Sequence, residues 1–142
     1  MDIRKFELDD INKGFLETLE NLAPVGEPTR ERSRKVFGAV LTNPVYNIFV
    51  AEIDGKIVGT ITLLIEHKFI HGGGKVGHIE DVATRKGWEG RGIGRKLVER
   101  AIEEARFEEC YKVILDCSED NVPFYEKCGA RKHEISMRWD LI

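Results

Sequence analysis

Apolar residues along this chain change their spacing several times, and each change marks an element. Ile3 to Phe6 can form a first strand, closed by the acidic Asp9-Asp10 pair that suits a helix start. Ile11, Phe15, Leu19 and Leu22 then recur at helical spacing and mark one buried face. Ala23-Pro24-Val25-Gly26 breaks that helix. Thr29 caps a second, with Val36, Phe37, Val40 and Leu41 inward and Arg30, Arg32, Arg34 and Lys35 on a solvated face. Tyr46 to Ile53 and Lys56 to Ile65 flank Asp54-Gly55, a two-residue turn signal of type I′. The hairpin this predicts has a nearly all-apolar second strand, which belongs in the middle of a sheet.

Gly72-Gly73-Gly74 links to a short strand, Gly77 to Thr84, in which Val82 and Ala83 alternate with Asp81 and Thr84. Gly90-Arg91-Gly92-Ile93-Gly94 follows and opens into a helix running to about Phe107, with Ile93, Leu97, Val98, Ala101, Ile102 and Ala105 at helical spacing. Tyr111 to Cys117 reads as a strand that a helical crossover places parallel to the one before the loop. Ser118 to Asn121 turns into a short helix, Val122 to Lys127, with Pro123 in its first turn and Gly129 at its end. Arg131 to Leu141 supplies a closing strand or hairpin. The expectation is a single α/β (α+β) domain over residues 1–142, with a mixed sheet of about seven strands and about four helices.

Composition narrows the function classes. The 142 residues carry a net charge of −3, with 42% hydrophobic and 33% charged residues, as in an ordinary globular protein without the basic face of a nucleic-acid binder. No run approaches the roughly 20 apolar residues of a membrane span, and Met1-Asp-Ile-Arg-Lys predicts no secretory leader. Cys110, Cys117 and Cys128 form neither a disulfide framework nor a CxxC pattern, which suits reduced thiols in the cytoplasm. His67, His71 and His78 lack tetrahedral partners at ligand spacing, so no metal is expected.

A Gly-rich turn at a helix start presents free N–H groups and the positive end of the helix dipole to phosphate oxygens. The run lacks the Lys-Ser/Thr end of a P-loop and the βαβ setting of a dinucleotide fold. Arg85, Lys86, Arg91, Arg95 and Lys96 nevertheless gather positive charge on an acidic chain, which suits a ligand with several phosphates such as coenzyme A.

The chain resembles the GCN5-related N-acetyltransferases, and among them the glucosamine 6-phosphate N-acetyltransferases. The general signature Gln/Arg-x-x-Gly-x-Gly/Ala falls on Glu89-Gly-Arg-Gly-Ile-Gly94. The narrower match is Gly77-His-Ile-Glu-Asp-Val-Ala83, Tyr111-Lys-Val-Ile-Leu-Asp-Cys117 and Asn121-Val-x-Phe-Tyr-Glu-Lys-Cys-Gly129. The resemblance implies direct acetyl transfer from acetyl-CoA to the 2-amino group of the sugar phosphate by a homodimer. Val82, Ala83 and Thr84 would pair with the pantetheine arm, an N–H near Val82 would polarise the thioester, and the N–H groups of Gly90, Arg91, Gly92, Ile93, Gly94 and Arg95, with Arg85 nearby, would hold the pyrophosphate. Tyr125 would protonate the leaving thiolate, Asn121 would touch the cofactor, and Asp116 would orient the amine. Glu80 and Asp81 would grip sugar hydroxyls and the amine, with Lys68, His71, Tyr111 and Lys112 also at the substrate.

The residue chemistry agrees: an amine attacks only when deprotonated and a thiolate leaves best with an acid nearby. Carboxylates at 80, 81 and 116 and the phenol at 125 supply both. Asp116 capping a turn, and Tyr125 as ordinary core, remain alternatives on the residues alone. Glu80 inside an apolar strand costs free energy unless partnered. Three positions depart from the family pattern: Glu89 at the first signature site, Ala23-Pro24 before Val25-Gly26, and Arg138 two residues ahead of the expected phosphate-binding arginine. Another amine acceptor, or a non-catalytic acyl-CoA sensor, are the rival readings.

Overall fold

The computed structural model describes all 142 residues. Its centre is the hairpin of β2 (Tyr46–Ile53) and β3 (Lys56–His67), joined by Asp54 and Gly55 at φ 50° and 74°. Both turn residues in the left-handed region are what a type I′ turn requires. β1 (Asp2–Lys5) pairs with β2 and β4 (Lys75–Thr84) with β3, all antiparallel. β5 (Cys110–Ile114) closes a five-stranded sheet of order β1-β2-β3-β4-β5 and runs parallel to β4. β3, central as expected, is buried at Ile57, Val58, Ile61 and Leu63.

α4 (Ile93–Phe107) covers one face, burying Ile93, Leu97, Val98, Ala101 and Ala105 against Phe49, Ala51, Ile61 and Leu63. Full burial of each large aliphatic there stabilises by about 1.5–3 kcal/mol. The helix seats close because Gly59 has no side chain: a Cβ there would lie 2.6 Å from Ile93 Cγ2 and 2.8 Å from Leu97 Cδ1. α1 (Phe15–Glu20) covers the other face with Phe15 against Val50 and Ile57. Thr18 fixes it there, donating to the Ile57 carbonyl at 2.8 Å. Asp10, fully buried, accepts two bonds from Arg4 (2.9 and 2.6 Å) and one from the Glu7 N–H at 2.8 Å.

Several expectations are corrected. The first predicted helix is two pieces, a 3-10 segment Leu8–Lys13 and α1, separated by Gly14 at φ 95°. α2 (Arg30–Leu41) is capped by Thr29 as expected, accepting from the Arg32 N–H at 3.1 Å, yet none of its side chains is buried. Val36 and Leu41 point to solvent because no element of this chain lies over them. The Gly72–Gly74 link holds a helical turn, α3 (Ile70–Gly73), kinked at His71 and Gly72. β5 stops at Ile114 rather than Cys117, and residues 131–142 form no strand. Ile135, Met137, Trp139 and Leu141 are each at least 82% exposed. Hence the sheet has five strands where about seven were expected.

Candidate active site

The site begins with a bulge. Thr60 pairs with Ala83 and Thr62 with Glu80, so Asp81 and Val82 together oppose the single residue Ile61. Asp81 takes φ 49° to allow it. A bulge bends its strand and increases its twist. On the other side, pairing of β4 with β5 ends at His78↔Ile114. The strands therefore part, and residues 79–84 keep an edge with no strand beside it. An open strand edge accepts an extended, amide-bearing ligand in β fashion.

The wedge leads into the loop Arg85–Gly92. Gly87, Gly90 and Gly92 adopt φ of 88°, 76° and 78° with no atom within 4 Å of where a Cβ would be. Their requirement is thus conformational rather than spatial. Gly92 is the N-cap of α4 and offers no capping side chain, and the first turn carries no acid. Its N–H groups face outward without intrahelical partners, which favours an anion. Arg91 lies 4.6 Å over the half-buried Trp88 ring, and Arg95 donates to Glu99 at 3.0 Å, so both cations are held beside the turn. Gly94 allows the close approach of α5 (Val122–Lys127): a Cβ there would meet Phe124 Cζ at 3.2 Å.

Two groups near the opening hold their protons more tightly than usual. Burial raises the Glu80 carboxyl above its ordinary range, and the nearby Asp81 and Asp116 add to it. Glu80 is exposed rather than sealed in the strand as its apolar neighbours suggested, with enough of its carboxyl desolvated to raise it. On α5, whose Phe124 meets Gly94, Tyr125 is half-buried, packs against the main core and stands edge-on to Phe124 at 4.9 Å. Burial raises its phenol, with Cys117 and Cys128 contributing, so it keeps its proton at neutral pH.

The predicted residues fall into three places. Glu80, Asp81, Val82, Ala83 and Thr84 line the open edge with Asp116 near Glu80, Gly90 to Arg95 stand at its mouth, and Tyr125 lies on α5, which starts at Asn121 and packs at Gly94. Arg85 lies elsewhere: its guanidinium fills the space over Gly14, on the α1 side of the sheet. Lys68, His71, Tyr111 and Lys112 gather at the opposite end of β4. There Lys68 and His78 both bind Glu66, at 3.0 and 2.8 Å, and His71 stacks on Tyr111 at 4.1 Å with Lys112 5.9 Å from that ring. Through Glu66 this group reaches His78, two positions before Glu80 on β4.

Two residues escaped the sequence reading. Trp88 anchors the loop to the core, and Asn21 donates from Nδ2 to the Thr84 carbonyl at 2.7 Å and to Glu89 Oε1 at 3.0 Å. Nothing in the sequence flags a contact between residues 63 positions apart. Arg138 pairs with Asp140 at 2.6 Å in the exposed C-terminal segment. No three His, Cys, Asp or Glu side chains are disposed to hold a metal ion, and no helix is long and apolar enough to cross a membrane.

A bulged strand parts from its parallel neighbour, with a glycine loop and a bare helix start at the opening, an arrangement suited to an extended ligand that ends in phosphates. Residues 11–130 match the model of the acetyltransferase (GNAT) family, and the chain belongs to that family. It is 41% identical to glucosamine 6-phosphate N-acetyltransferase of Arabidopsis thaliana over 95% of this chain and 93% of that one. The enzyme of the same name from Candida albicans is also 41% identical, over 94% and 91%. The crystal structure of the Arabidopsis thaliana enzyme superposes with a TM-score of 0.93 at 40% identity, covering 99% of this chain and 98% of the other.

The loop geometry has a direct consequence. Gly92→Ala forces a Cβ into the left-handed region at φ 78°, at a cost of about 1–2 kcal/mol. Calorimetric titration should show coenzyme A binding weakened by roughly tenfold in a variant that still folds; unchanged binding would remove Gly92 from the phosphate turn.

Proposed function

We propose that this protein transfers an acetyl group from acetyl-CoA directly to the 2-amino group of glucosamine 6-phosphate, as one catalytic domain over residues 1–142 in the cytoplasm. The observation that carries the reading is the open edge of β4, with a turn suited to phosphate at one end, a raised carboxyl on the strand and a protonated phenol on the helix that packs at Gly94. The Arabidopsis thaliana and Candida albicans relatives support the choice of acceptor. Free cysteines suit a reducing compartment.

The chemistry assigns each group a task. The amide-bearing arm of the cofactor adds along residues 82–84, and the pyrophosphate meets the N–H groups of the loop and first turn. A fixed N–H near Val82 stabilises the oxyanion that forms on the thioester carbonyl. The amine, relieved of its proton by the carboxylates around Glu80, with Asp116 orienting it, attacks the carbonyl carbon. The new C–N bond forms as the C–S bond breaks, and the thiolate takes the Tyr125 proton. Glu80 serves because its raised affinity for a proton makes it a better base than an ordinary carboxylate.

The acceptor end involves a second copy. In a homodimer with a site shared between chains, the second copy would complete the acceptor end beyond the Lys68–Lys112 group. Residues 135, 137, 139 and 141 add to this: apolar side chains at alternate positions, all exposed, form a strand pattern that lacks a partner within its own chain. The uncovered apolar residues of α2 point the same way.

Thiol release from acetyl-CoA across a panel of amines tests the reading. Turnover should be highest with glucosamine 6-phosphate, and Tyr125→Phe should lower kcat by about 10²-fold while acetyl-CoA binding holds. Cofactor binding with no turnover on any amine would sink the enzyme reading; turnover confined to non-sugar amines would sink this acceptor.

The acidic limb of the kcat–pH profile offers a second check. Activity needs the carboxylate form, so kcat should rise with pH through a value above the ordinary glutamate range, the direction in which Glu80 is shifted. Glu80→Gln should abolish or displace that limb; an unaltered limb assigns the base elsewhere. For the assembly, light scattering should give twice 16.2 kDa, and removing residues 135–142 should yield an inactive monomer. A fully active full-length monomer would refute the shared site.

A further inference from the structure

We propose that Asn21 is a positioning residue for acetyl-CoA: its carboxamide ties the end of β4 to Glu89 and so holds the glycine loop in the form that receives the pyrophosphate. This rests on the reading that the loop binds that cofactor. Asn21 Nδ2 donates to Thr84 O at 2.7 Å and to Glu89 Oε1 at 3.0 Å. Both partners are acceptors only, which fixes the orientation of the amide. Glu89 Oε2 in turn accepts the Gly87 N–H at 2.8 Å. One amide thus joins the last residue of the strand that lines the wedge to the turn that follows it.

The physical need for such a tie is plain. Gly87, Gly90 and Gly92 lack the side chains that would restrict them, and ordering each of them costs backbone entropy. The tie orders the turn before the ligand arrives, so less of that cost falls on binding. It also settles what an acid does beside a phosphate site. Glu89 spends both oxygens on the Gly87 N–H and on Asn21 rather than facing the ligand, and its own backbone N–H, helped by those two bonds, holds it below the usual carboxylate range. A carboxylate at 89 needs a neutral donor opposite it, and Asn21 is that donor. The anchor is firm, because Asn21 caps α1, whose Phe15 and Thr18 are buried in the sheet.

The test pairs two substitutions. Asn21→Asp removes the donor to Thr84 and sets two carboxylates against each other. Acetyl-CoA affinity by calorimetry should fall roughly tenfold, kcat at saturating acetyl-CoA should stay within about twofold, and hydrogen exchange at the Gly87 amide of the free protein should quicken about tenfold. Adding Glu89→Gln relieves the repulsion and restores a donor opposite residue 21, though not the bond to Thr84, and should bring affinity and exchange part of the way back, to within about fivefold of wild type. Unchanged affinity and exchange in Asn21→Asp, or a double variant as impaired as the single one, would overturn the proposal. Wild-type protein that fails to bind acetyl-CoA would overturn the cofactor reading instead, and Gly87 exchange would still decide whether Asn21 holds the loop.

Discussion

At Asp81 and Val82 the chain places two residues opposite one on β3, and the geometry of the site follows from that mismatch. A non-glycine residue at φ 49° costs about 1–2 kcal/mol. The hydrophobic packing of α4 on β3 and β4 offsets this, because it fixes both strands and leaves the bulge nowhere to relax. β4 bends, its pairing with β5 ends at His78, and a strand edge opens beside the start of α4.

The electrostatics follow the same division. The loop end of the wedge carries helix-start N–H groups, Arg91 and Arg95, all suited to phosphate. The strand end carries Glu80, Asp81 and Asp116, whose mutual repulsion together with burial raises the affinity of Glu80 for a proton. A reaction that moves a proton off an amine and another onto a thiolate needs such unlike surroundings within one cleft. The overall charge of −3 conceals this, since the two ends carry opposite signs.

Local chemistry was read well where it was sufficient. Asp54-Gly55 specified its turn, Thr29 its cap, and the spacing from Ile93 to Ala105 its buried face. The loop and the two acids before it stood out because their backbone and charge requirements are local. Where a partner was missing, the reading went astray. The alternation at Ile135, Met137, Trp139 and Leu141 announces a strand, and the apolar stripe of α2 announces a buried face, but a strand or face forms only against something, and this chain alone does not supply it.

The amino-acid sequence by itself determined which segments could be strand, turn or helix, and which of them could meet a phosphate, because those preferences reside in a few neighbouring residues. Only the tertiary structure decided that Glu80 faces outward, that Arg85 packs over Gly14 instead of joining the loop, and that Asn21 closes the turn at Glu89. Each of those outcomes depends on a bulge or on a contact across distant parts of the chain, and neither leaves a periodic trace. The segment opening at Gly77 thus declares its ligand chemistry locally, while the sheet around it sets where that chemistry points.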